Sequence, residues 1–74
     1  MKTLDKLQPG EEAAITAIHG QHTALRRRLL DMGLTRGTVV RLVRTAPLGD
    51  PIELRLRDYA LTIRKSDAHL VEVA

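Results

Sequence analysis

Not one cysteine occurs in these 74 residues. Neither a disulfide nor a thiolate-bound metal can therefore staple the fold. A chain of this length buries only about 60% of the surface that its unfolded form exposes. Stability has to come from aliphatic side chains packed into one thin core. With 43% hydrophobic residues, the chain carries enough apolar material for a single globular domain over residues 1–74. Lack of cysteine also fits a reducing compartment.

The spacing of those apolar residues predicts the elements. Leu4 and Leu7 are expected to tuck under the domain, ahead of a Pro9-Gly10 turn. Ala13 to His19 reads as a first strand anchored by Ile15 and Ile18, and Gly20 ends it. Thr23 to Met32 reads as one short helix, because Leu25, Leu29 and Met32 recur at i, i+4 and i+7. Thr23 suits the N-cap. Arg26 stands where a capping box would need an acid. Gly33 suits the left-handed position after the helix, with Leu34 folding back on Leu29. So short a helix is unstable alone in water, so its apolar stripe must pack on something.

Beyond Gly37 the period changes. Thr38 to Thr45 is β-branched and reads as a strand. Ala46-Pro47-Leu48-Gly49-Asp50-Pro51 is a stiff loop. Ile52 to Arg57 alternates, with Ile52, Leu54 and Leu56 inward and Glu53, Arg55 and Arg57 outward. Tyr59 to Arg64 alternates again after a short reverse at Arg57-Asp58. Ser66 is a candidate cap for a helical turn through Ala68 and His69, and Val71 and Val73 close the chain as a last strand. The fold expected is mainly β: about five strands and one short helix in a closed or nearly closed barrel, which removes exposed edges. An open α+β sandwich is the competing architecture.

Charge is unevenly placed. The net charge is +3, and arginine supplies nine of the twelve cations. Six of those arginines fall between Leu25 and Gly49, against Asp31 alone. Tyr59 is the only aromatic residue. One tyrosine cannot line a groove for proline-rich peptides, nor stack a run of unpaired bases. No apolar run of about 18 residues is present, and the first residues do not resemble a signal peptide, so a cytoplasmic location is expected. No phosphate-cradling loop or activated nucleophile is recognisable, so the chain is not expected to be an enzyme or to need a cofactor.

Three features remain as candidates for function. His19 and His22 are three residues apart, and His69 is distant. Zinc wants three or four ligands, so these histidines read first as surface residues and only second as a metal site. The Arg26-Arg27-Arg28 run offers an electropositive face beside Leu30. Its plainer reading pairs Arg27 with Asp31 and lays the stem of Arg28 along the core edge. Leu48, stiffened by Pro47 and by Asp50-Pro51, suits a docking tip; the plainer reading folds it onto the barrel mouth. The candidate protein-binding residues are thus Arg26, Arg27, Leu30, Pro47, Leu48 and Asp50.

The chain resembles the FeoA family of small bacterial ferrous iron uptake proteins. The likeness runs from Leu4 to Val73. It is carried by Leu7-Gln8-Pro9-Gly10-Glu11, by Arg28-Leu29-Leu30-Asp31-Met32-Gly33-Leu34 with Gly37-Thr38, by Ala46-Pro47-Leu48-Gly49-Asp50-Pro51-Ile52, and by Arg64-Lys65-Ser66-Asp67-Ala68. Asp58 departs from it, standing where the family often has glycine. The resemblance implies an SH3-like barrel, akin to the C-terminal domain of DtxR-type repressors. It also implies an adaptor for the cytosolic part of FeoB, the membrane iron transporter, reaching the membrane only through that partner. A small barrel binding nucleic acid and a metal-responsive interaction module are the alternatives.

Overall fold

Strand-forming and helix-forming patterns both appear where their periods place them. The computed structural model describes residues 2–20 and 23–74. Its strands are β1 (Lys2–Thr3), β2 (Glu12–Ile18), β3 (Val39–Thr45), β4 (Ile52–Leu56), β5 (Tyr59–Ile63) and β6 (Val71–Val73). Two α-helices accompany them, α1 (Ala24–Asp31) and α2 (Lys65–Ala68), with a 3-10 turn at Leu4–Lys6. All pairings are antiparallel, in the order β1-β6-β2-β3-β4-β5. The fold is mainly β as expected, but with six strands rather than about five. The additional β1 pairs Lys2 with Val73 and Thr3 with Glu72. Two residues carry no periodic signal, so only the partner strand reveals them. β1 and β5 form the two edges of the order, so the barrel is nearly closed rather than sealed by a continuous ladder.

Ile15 and Ile18 cannot face the same way in a regular strand, because side chains alternate. The register of β2 against β6 shifts between Ile15 and Ala17. That irregularity absorbs one residue and turns both isoleucines toward the core. Thr16 bridges the shift by donating its hydroxyl to the carbonyl of Glu72 at 3.1 Å. A second shift lies between Leu42 and Arg44 in β3. The core itself is aliphatic: Leu4, Ile15, Leu29, Leu34, Val40, Leu42, Ile52, Leu54 and Val71 are all fully buried.

Helix α1 ends as its sequence requires. The Thr23 hydroxyl accepts from the amide of Arg26 at 3.1 Å. At the other end the Gly33 amide donates to Leu30 and the Leu34 amide to Leu29. These two bonds make a Schellman motif, with Gly33 left-handed at φ +94. Leu29 and Leu34 are then both fully buried, and Leu25 and Met32 pack on the same cluster. Ser66 does not cap α2 as expected. It lies inside the helix, and the cap residue is Arg64. A carboxylate from the β3–β4 loop does that work instead, because Asp50 Oδ1 accepts from the Lys65 amide at 2.9 Å.

One half-buried carboxylate gives the fold a pH dependence. The Asp5 side chain is only 13% exposed and lies 3.4 Å from His69 Nδ1. Burial would raise its pKa. Hydrogen bonds with the Thr3 hydroxyl and the His69 ring, and the positive imidazole, outweigh burial and hold the carboxyl below its ordinary value. A depressed carboxyl pKa stabilises the fold fully above the unfolded-state value, roughly pH 4, and less as pH falls through the folded-state value. Asp5→Asn is expected to shrink the loss of stability between pH 7 and pH 3, read by urea denaturation at each pH. A loss as large as the parent's would show that Asp5 contributes none of it.

Candidate functional site

The three consecutive arginines do not act as one patch, because helical geometry sends them in different directions. Arg26 turns back, and its Nε donates to the carbonyl of Ile18 at 3.3 Å. It thereby ties the end of β2 to the start of α1. Arg27 is exposed and, among the described residues, forms no ion pair with Asp31. Arg28 approaches Asp67 of α2 at 4.0 Å instead, a contact between residues far apart in sequence. Arg26, Arg27 and half-buried Leu30 line one shallow hollow with Thr23 and Ala24. No residue of the Pro47–Asp50 loop lines it.

That loop is braced from within. The Gly49 amide donates to Ala46 at 2.7 Å, and the Ala46 amide to Pro51 at 3.0 Å. Asp50, a candidate for partner contact, spends one carboxylate oxygen on the start of α2. Leu48 is 97% exposed, so it projects away from the barrel mouth rather than folding onto it. The braced loop thus presents one bare leucine to solvent.

The histidine pair offers less. His19 Nε2 lies 3.0 Å from Glu72 Oε1, and His22 lies outside the described residues. Among the described residues no cluster of three metal-ligating side chains forms, and none is a helix long and apolar enough to cross a membrane.

A second group of arginines is one that local sequence reading does not reveal. Arg41 of β3 stands directly opposite Arg55 of β4. Glu12, Val39 and Arg57 line a hollow with them. Arg57 and Val39 also line a neighbouring groove of about 540 Å³ with Arg36, Leu56 and Tyr59. Arg41 lies fourteen residues before Arg55 in the chain, and strand register brings the two together. The outward alternation of Arg55 and Arg57 was the available signal, but its counterpart on β3 depends on the pairing.

Comparison with known proteins follows the same lines. The FeoA domain family matches residues 2–74. The chain is 37% identical over 70 residues to a Fe(2+) transport protein A/Fe(2+) transporter FeoB fusion protein of Porphyromonas gingivalis. That match takes in 95% of this chain but spans only 8% of the fusion protein. The solution structure of FeoA protein from Chlorobium tepidum superposes with a TM-score of 0.88 at 40% identity, over 97% of this chain and 68% of that one. The crystal structure of Stenotrophomonas maltophilia FeoA complexed with zinc, described as a procaryotic SH3 domain protein, gives a TM-score of 0.88 at 28% identity. It covers all of this chain and 91% of that one. A match over nearly every residue, joined to an SH3-like fold whose helix stop and Pro-Leu-Gly-Asp-Pro loop stand where the resemblance required, shows that this chain belongs to the FeoA domain family.

Proposed function

We propose that this protein is a non-enzymatic adaptor that binds the cytosolic part of an FeoB-type iron transporter and supports Fe(II) uptake. The observation that carries this reading is the Porphyromonas gingivalis relative, in which a homologous domain shares one chain with the transporter. Covalent linkage makes an encounter intramolecular and raises its effective concentration. Where the two are separate chains, a docking surface must supply the affinity that the linkage otherwise provides. The proposed location is cytoplasmic, and the protein reaches the membrane only through its partner. Arg27 and Leu30 on α1, with Pro47 and Leu48 on the braced loop, are the proposed contacts. Arg26 and Asp50 support them from behind, since both are engaged within the fold.

Calorimetry with the transporter's cytosolic domain tests the reading. Burying an exposed leucine contributes roughly 1.5–3 kcal/mol, so Leu48→Asp is expected to weaken binding by roughly tenfold to a hundredfold. Arg27→Glu is expected to weaken it less and to make it less sensitive to salt. Unchanged affinity in both folded variants would place the contact elsewhere. No binding by the parent protein would remove the reading itself.

A further inference from the structure

We infer that the arginine-bearing face of the sheet is a second binding surface, built to take an acidic peptide segment with an aliphatic side chain. This inference stands apart from the transporter reading, because it uses a different face and names the ligand by its chemistry. Its basis is the row Glu12–Arg41–Arg55 running across β2, β3 and β4. Like charges directly opposite one another destabilise a sheet, yet Arg41 and Arg55 occupy such a pair. Glu12 relieves one end of the row by lying 3.7 Å from Arg41. Among the described residues, Arg36, Arg55 and Arg57 form no ion pair. Their guanidinium groups are therefore left for a carboxylate arriving from outside, in the way Glu12 already serves Arg41.

Apolar surface beside the arginines narrows the ligand further. Val39 is 52% exposed and Tyr59 45% exposed. Both line the groove of about 540 Å³ that runs between the Thr35–Thr38 segment and the β4–β5 turn. A groove of this size with Val39, Leu56 and Tyr59 in its lining accepts an aliphatic side chain, while Arg36 and Arg57 beside them pair with planar carboxylates. A nucleic-acid strand fits less well. Glu12 lines the face, and exposed Asp58 follows Arg57 in the β4–β5 turn; both would repel a continuous run of phosphates. One tyrosine provides no platform for successive bases. Discrete carboxylates can avoid those two acids, whereas a phosphate backbone cannot.

Fluorescence anisotropy with a fluorescein-labelled peptide of glutamates spaced by leucines tests the inference, beside the lysine counterpart and labelled single-stranded DNA of similar length. The acidic peptide is expected to bind at low salt, and its affinity to fall as salt rises. Arg55→Glu/Arg57→Glu is expected to weaken it at least about tenfold, and Val39→Asp also to weaken it. Arg27→Glu and Leu48→Asp are expected to leave it within about twofold, which separates this face from the proposed transporter contact. All these side chains are surface groups, and circular dichroism confirms that each variant folds. Absence of acidic-peptide binding at low salt would overturn the inference. So would equal weakening by Arg27→Glu, indifference to the Arg55/Arg57 reversal, or tighter binding of the DNA.

Discussion

Leu54→Ala is expected to lower the unfolding free energy by about 2–5 kcal/mol. Leu54 is fully buried and occupies the middle of β4, between Leu42 on β3 and Leu61 on β5. Removing its branched end loses transfer free energy and leaves a void that three strands must close at once. Backbone hydrogen bonds on both sides of β4 restrain that collapse, so the loss belongs in the upper part of the range. Domains are stable by only about 5–15 kcal/mol, and one this small has little to spare. Each kcal/mol moves the melting midpoint of such a domain by about 4–8 °C, so a shift of roughly 10 °C or more is the expected readout. Leu48→Ala is the matched control: the same truncation at a 97% exposed position should stay within about 0.5 kcal/mol. A Leu54→Ala melting curve within a degree or two of the parent would show that β4 does not bury this face.

The contrast between Leu54 and Leu48 also marks what the sequence made legible. Strict alternation from Ile52 to Leu56 is a local pattern, and the burial of that strand follows it residue for residue. The helix was legible for the same reason, since its cap, its stripe and its terminal glycine all lie within a dozen or so residues. Features created by pairing were not. The inward turn of both Ile15 and Ile18 depends on the register shift against β6. The Asp50 cap on α2 depends on a loop returning to a later helix, which is why Ser66, the nearer candidate, was the natural but incorrect choice. The same rule applies to surface residues. The exposure of Leu48 could be read from a stiff loop that carries Pro47 and Pro51. The cluster of Arg36, Arg41, Arg55 and Arg57 could not, because no local window contains it. Arg26 looked like surface charge and proved to be a tie to the carbonyl of Ile18, again a contact across elements.

Gly33→Ala tests the junction on which the helix, the sheet and the basic groove all converge. Gly33 has φ +94, and an alanine there costs about 1–2 kcal/mol in backbone strain alone. A methyl group would also run into the Tyr59 hydroxyl, which donates to the carbonyl of Met32 at the end of α1. That close approach is how the β4–β5 turn grips the helix terminus. Tyr59 is 45% exposed, so its hydroxyl can swing aside at the cost of that hydrogen bond, about 0.5–1.5 kcal/mol, and the variant is expected to lower the melting midpoint by several degrees, less than Leu54→Ala at the top of its range. Tyr59→Phe separates the two contributions. By itself it loses one hydrogen bond, about 0.5–1.5 kcal/mol. In its background the added methyl no longer meets an oxygen, so Gly33→Ala should there cost little beyond the backbone strain. A double-mutant cycle therefore has a defined sign: the pair together is less damaging than the sum of the singles. If Gly33→Ala costs the same with and without the Tyr59 hydroxyl, the turn does not hold the helix in this way. If it costs nothing in either background, the left-handed stop is absent, and α1 must end by other means.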